Sequence, residues 1–188
     1  MSIVHLIFTD NNNSGNEWQL SIKNATALSE LDHHPPANLV DGKASTFYDS
    51  SDDNTMNPWI QLELADTQAI KQIKLTNRND HLCKMTNCAK DLSMVEVRVG
   101  NNQVTKQNPD AIKSNNICGI HHGPGKVGEV VIVMCPTPLK GKYVTIQVTD
   151  PQIHKMSLAE VEIYGQIIGI IKTYQIYILS KILKKITP

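Results

Sequence analysis

The sequence lacks any excess of charge: its 188 residues hold 18 Lys and Arg against 18 Asp and Glu. That balance excludes the broad positive field of a dedicated nucleic-acid or anionic-membrane binder. It also lacks His-Glu-x-x-His, Gly-x-Ser-x-Gly and a Gly-rich phosphate loop, so the common metallopeptidase, serine-hydrolase and nucleotide-binding arrangements have no foothold. The paired histidines His33-His34 and His121-His122 do not replace them, because adjacent residues of a strand point to opposite faces. The chain therefore reads as non-enzymatic. A signal-peptide core is missing too: the apolar run from Ile3 to Phe8 is short, is broken by His5 and has no basic residue before it. No stable membrane span is expected either, since the Ile-rich stretch after Gln166 is interrupted by Lys172, Lys181, Lys184 and Lys185.

Short strands fill the remainder. After Trp59 the run Ile60-Gln61-Leu62-Glu63-Leu64 alternates apolar and polar, and Ala69 to Thr76, Met94 to Val99, Val130 to Met134, Tyr143 to Val148 and Glu160 to Tyr164 are further strand candidates. Turn chemistry at Asp41-Gly42, Asn108-Pro109-Asp110, Gly123-Pro124-Gly125 and Asp150-Pro151 separates them, and no long amphipathic helix interrupts the series. This pattern predicts an all-β sandwich. The length suits one domain, over residues 18–166, with an N-terminal extension over 1–17 and an Ile- and Lys-rich appendage over 167–188.

The chemistry concentrates at Asn77-Arg78-Asn79-Asp80. Residues two apart in an extended chain share a face, so Asp80 can orient the Arg78 guanidinium while its other N–H groups meet a ligand. Four cysteines follow, Cys83, Cys88, Cys118 and Cys135, which could pair in three ways as disulfides. A structural zinc site competes with that reading, but Cys83 and Cys88 near His81 have no second close ligand pair. Asn12-Asn13-Ser14 and Asn24-Ala25-Thr26 match the glycosylation sequon, which fits an exported protein.

Taken in order, Ala37 to Lys43, Asn57 to Leu64, Asn77 to Asp80, Val95 to Gly100, Gly141 to Val144 and Leu158 to Gly165 resemble the F-type lectin family, the fucolectins, within the discoidin-like group. The resemblance implies an eight-stranded antiparallel jelly-roll β-sandwich. It implies disulfides Cys118–Cys135 and Cys83–Cys88, the latter spread by an insertion, and the joint loss of a third bridge that would join the region of Asp49 and Ser50 to Ala159. It also implies a structural Ca2+ held by carbonyls of Asn38, Lys43 and Ala159, by side chains of Asp41 and Glu160, and by a hydroxyl from Ser50 or Thr46. Calcium takes roughly six to eight such oxygens.

Fucose recognition in this family uses a histidine, the arginine of Arg-x-Asp and a second basic residue, which donate to hydroxyl and ring oxygens while apolar groups cover the C6 methyl. Arg78 and Asp80 match. The histidine place falls on Ser51, and the second basic place on Met85 beside Lys84, or on Asp91 beside Lys90. His33, His34 and His81 are candidates for the missing ring, while Trp59 reads as core packing. The implied function is an extracellular carbohydrate-binding lectin module with a degenerate fucose-type site. Its partners are glycans bearing fucose or a related sugar, and avidity would come from a homo-oligomer. The alternative is a discoidin-like adhesion module that binds protein or lipid and has lost the sugar.

Overall fold

A computed structural model describes residues 17–51, 56–153 and 155–166. The expectations for the N-terminal extension, the sequon at Asn12 and the appendage over 167–188 lie outside these residues. The strands are β1 (Glu17–Gln19), β2 (Ile22–Ala27), β3 (Tyr48–Asp49), β4 (Trp59–Thr76), β5 (Val95–Gly100), β6 (Asn116–His121), β7 (Val130–Val148), β8 (Ser157–Leu158) and β9 (Glu160–Gln166). Among the described residues one α-helix, α1 (His81–Thr86), stands in the cysteine loop.

Two long strands make the sandwich. The first part of β4 pairs with β2 on one side and with the last part of β7 on the other, and β5 and β6 continue that layer. Its second part pairs with β9, which carries β1, and with the beginning of β7. Sequence reading treated Trp59–Leu64 and Ala69–Thr76 as separate strands, and likewise Val130–Met134 and Tyr143–Val148. Each pair is instead one bent strand. The bends show as register shifts between Glu63 and Gln68 and between Ile70 and Gln72. At the second shift the inward-facing residues change parity, from Ile60, Leu62 and Leu64 to Ile73 and Leu75, as an inserted bulge requires. Pro136 and Pro138 sit in the unpaired excursion opposite that bulge, where a missing N–H breaks no ladder bond.

The core runs between the layers: Leu39, Tyr48, Ile60, Leu62, Ile73, Leu75, Ile146 and Leu158 are enclosed there. Trp59 is also buried, but with Val104 and Ile112 under the loop after β5, as expected of a packing residue. Gln61 tethers that loop. Its amide donates to Thr145 Oγ1 at 2.9 Å and its carbonyl accepts from Val104 N at 2.9 Å. Both implied disulfides form, Cys83–Cys88 and Cys118–Cys135, which removes the zinc reading. Among the described residues no helix is long and apolar enough to cross a membrane.

Candidate functional site

Arg78 lies just past the end of β4 and is only 3% exposed. Asp80 grips it from two sides: Arg78 Nε donates to Oδ2 at 2.7 Å and Nη2 to Oδ1 at 3.0 Å. The clamp expected from the i, i+2 spacing is therefore present. The other end of the guanidinium meets protein. Nη1 donates to Asp49 Oδ2 at 3.2 Å and to Ser157 Oγ at 3.1 Å, tying β4 to the small β3–β8 sheet. Four of the five N–H groups are engaged by these bonds, and the Phe47 ring lies 3.4 Å beneath the guanidinium carbon. A planar, delocalised cation suits such a site, stacked on a ring and bonded in its plane.

Asp80 has a second task that the sequence reading missed. It is the N-cap of α1, its Oδ1 accepting from Cys83 N at 3.0 Å. An Asp just ahead of a short helical run was the available signal. The hydrogen bonds from Arg78, and after them the Cys83 N–H, hold the Asp80 carboxyl down at about 2 from an ordinary 3.8, against a partial desolvation that raises it. A depressed carboxyl stabilises the fold above its unfolded value and ceases to do so as pH falls through the folded value. Acid titration should therefore show stability falling between about pH 4 and pH 2. Asp80→Asn should be less stable at neutral pH, with a flatter profile across that window in circular-dichroism melts.

Arg78 and Asp49 floor a cavity of about 280 Å³, walled by Leu82 and Thr86 of α1, Cys88, and the loop residues Lys90, Asp91 and Lys155. The loop is anchored from three directions. Asn77 Nδ2 donates to Ala89 O at 2.9 Å, Gly125 N donates to Leu92 O at 2.9 Å, and the disulfide joins Cys88 to α1. Gly125 must be glycine, because a Cβ there would lie 2.7 Å from Asn77 Nδ2 and 2.8 Å from Ala89 O. Lys155 also reaches Asp49 Oδ2 at 3.6 Å.

The expected sugar residues separate in this geometry. Arg78 and Asp80 are together, and Lys90 lines the cavity. Lys84 and Met85 are exposed on α1, on a side that does not line it; Leu82 and Thr86, one turn apart, do. Ser51 follows β3 with its hydroxyl buried and unpartnered among the described residues, and it is not in the cavity wall. His34 stacks on Phe47 at 4.0 Å, on the ring face opposite Arg78, so the ring separates the two. His81 is exposed at the start of α1. Asp49, Phe47, Lys155 and Ser157 were not anticipated, being far from Arg78 in sequence and brought to it by β3 and β8.

A second cluster surrounds Asp41. Its carboxylate accepts from Lys43 N at 2.8 Å and from Thr46 Oγ1 at 2.9 Å, while the Thr46 backbone N–H donates to Lys43 O at 3.1 Å. Glu160, at the start of β9, lies near enough that Asp41 raises its carboxyl. Burial is the larger cause, and together they take it to about 7 from 4.5, against hydrogen bonds from the Lys43 and Gly42 backbone. Glu160 Oε2 is buried without a partner among the described residues. Asn38 is fixed by donating from Nδ2 to Phe47 O at 2.8 Å, and Ala159 by its N–H to Thr76 O. Of the two nominated hydroxyls, Thr46 is beside Asp41; Ser50 is enclosed between strands, accepting from Met156 N. Among the described residues no three His, Cys, Asp or Glu side chains cluster as a metal site.

A bent-strand sandwich with its short loops gathered beside Arg78 defines a discoidin-like, galactose-binding type of jelly roll. Residues 38–146 match the model of the NedA-like, galactose-binding domain, and the chain belongs to that family. It is similar to Fucolectin-4 of Anguilla japonica, 29% identical over 134 residues, 68% of this chain and 65% of that protein. Among solved structures it resembles an f-lectin (fucolectin) from Morone saxatilis serum, with TM-score 0.61 and 24% identity over 78% of this chain and 46% of that one. It also resembles the family 32 CBM of C. perfringens NanJ in complex with galactose, with TM-score 0.63 and 16% identity over 79% and 99% of the two chains. The jelly roll and the fucolectin likeness read from the sequence are thus borne out, and the chain spans just under two-thirds of Fucolectin-4.

Proposed function

We propose that the chain is a non-catalytic, carbohydrate-binding module of lectin type, taking fucose or a related sugar in the cavity over Arg78. The observation that carries this is the mixed lining of that cavity. Ammonium donors from Lys90 and Lys155, a carboxylate acceptor from Asp91, the Thr86 hydroxyl and the apolar Leu82 answer the hydroxyls and the C–H surface of a sugar ring. Arg78 keeps one Nη2 hydrogen for a ligand and otherwise holds the site in shape, so the lysines stand in for the histidine and second basic residue of the lectin pattern. The fucolectin relatives and the galactose complex support the ligand class. The two disulfides support an oxidising, extracellular setting.

Calcium fits the Asp41 loop. The unpartnered Glu160 oxygen and the mutual repulsion of two carboxylates are what a cation would relieve. Asp41 and Glu160 would bind through side chains, Asn38, Lys43 and Ala159 through carbonyls, and Thr46 in preference to Ser50 through its hydroxyl. Bound there, the ion would supply structural cross-linking of loop and strand.

One observation favours a second reading, adhesion to protein or lipid without sugar: most of the Arg78 donors are already taken by Asp80, Asp49 and Ser157. A glycan array separates the two. Binding to fucosylated or galactosylated glycans, lost in a folded Thr86→Trp variant that fills the cavity, is the expected result; a silent array with folded protein favours the second reading.

A further inference from the structure

The sequon Asn24-Ala25-Thr26 takes part in neither the Arg78 cavity nor the Asp41 cluster. It lies within β2, where Ile22, Ala25 and Ala27 pack against the core while Asn24 and Thr26 are exposed. Residues two apart in a strand share a face, so the amide and the hydroxyl that the sequon requires both point to solvent. Opposite Asn24, the Glu63 carboxylate is occupied by Lys23 at 3.3 Å and by Lys142 at 2.9 Å, which leaves the Asn24 amide to the solvent. We propose that Asn24 is an N-glycosylation site, and that its oligosaccharide covers the open edge of β2.

The order of the strands keeps the site accessible during synthesis. Among the described residues β2 pairs only with β4, and the partners come late: Gln61 lies 35 residues beyond Thr26, and Glu63 lies 40 beyond Lys23. At about 5–20 residues per second, the sequon emerges roughly 2 s or more before the strand that will pair with it. Transfer joins Asn24 Nδ2 to the anomeric carbon of a lipid-pyrophosphate-linked oligosaccharide. The bond from that carbon to the pyrophosphate oxygen breaks, lipid pyrophosphate leaves, and one amide proton is released. The folded chain has room for the product. Along the free side of β2 runs an open cleft of about 370 Å³, lined by Ala25, Thr26, Ala27, Pro35, Pro36 and Ala37. A strand edge left open beside such small side chains is a template for pairing with another chain, and a bulky, hydrophilic group within it prevents that pairing. No residue of β2 lines the cavity over Arg78, so the oligosaccharide leaves that cavity open.

The proposal rests on the extracellular reading, so the full chain is directed into the secretory pathway of cultured animal cells behind a cleavable leader, which tests the site apart from the chain's native destination. Digestion with peptide N-glycosidase F in 18O water marks each glycosylated Asn as labelled Asp for peptide mapping, and separates Asn24 from the sequon at Asn12. The expected result is oligosaccharide at Asn24 in most of the disulfide-bonded chain. Asn24→Gln and Thr26→Ala should abolish that mark and Thr26→Ser should keep it, all with unchanged melting temperature. Thr26→Ala should also self-associate in sedimentation velocity at concentrations where the glycosylated chain does not. An unmodified Asn24 in disulfide-bonded chain, whether secreted or retained in the cells, overturns the site. A glycosylated Asn24 whose loss leaves sedimentation unchanged overturns the covering of the β2 edge.

Discussion

Replacing Arg78 by alanine should destabilise the fold by about 3–5 kcal/mol, the usual cost of removing one member of a buried ion pair. The reason lies in what is left behind. Asp49, whose side chain is 7% exposed, would lose its guanidinium partner and keep the Lys155 ammonium at 3.6 Å. Ser157 would lose its donor, Phe47 the cation over its ring, and Asp80 both guanidinium bonds. For a chain of this size each kcal/mol moves the melting temperature by about 2–4 °C, so a fall of about 10 °C is expected in calorimetry. Arg78→Lys should recover little, because an ammonium cannot make the two-point contact with Asp80 while reaching Asp49. A variant within about 1 kcal/mol of wild type would show that the clamp is a weak surface-type pair. This also makes Arg78→Ala a poor probe of sugar binding, since loss of fold and loss of ligand would coincide.

Calcium should raise the melting temperature, and a chelator should reverse the rise. At about a hundred times its dissociation constant, an ion that binds only the folded chain adds about 2.7 kcal/mol. Without the ion, the Glu160 carboxyl at about 7 makes a contribution that is complete below 4.5 and lost as pH rises through 7, because the unfolded chain then ionises more readily than the folded one. Stability of the chelated protein should thus decline from about pH 4.5 to pH 7, and calcium should abolish that decline. Glu160→Gln should remove both effects. It should match or exceed the wild type in chelator at pH 7, because the buried repulsion with Asp41 is gone, and gain nothing from calcium. A calcium response that survives in Glu160→Gln would place the ion elsewhere.

The fold was largely legible because alternation in Trp59–Leu64, Ala69–Thr76 and Tyr143–Val148 reports strands with one apolar face in the core, although Gln61 and Thr145 on the polar face are buried too. Their continuity was not legible. A bulge at Lys71 and an excursion at Pro136–Pro138 look like strand ends in a linear pattern, yet they only bend the strand between layers. At the site, Arg78–Asp80 could be read from spacing, because the contact of two residues two apart in an extended segment is local geometry. Asp49 and Ser157 could not, because they reach Arg78 through the pairing of β3 with β8, whose two residues each leave almost no periodic trace. The same holds for Lys155, which arrives by a loop, and for His34, whose nearness in space is cancelled by the Phe47 ring between it and Arg78. Thr46 rather than Ser50 was undecidable by counting, since loop length and not residue type sets which hydroxyl faces Asp41.

Amide chemical-shift mapping tests the sugar site most directly. A titration of L-fucose, and in parallel D-galactose, into the 15N-labelled chain in calcium reports both whether a sugar binds and where. The expected result is a saturable set of shifts confined to Thr86, Lys90, Asp91 and Lys155 and their neighbours around the Arg78 cavity. Shifts centred on another face, or a spectrum of folded protein unmoved by either sugar, would contradict it.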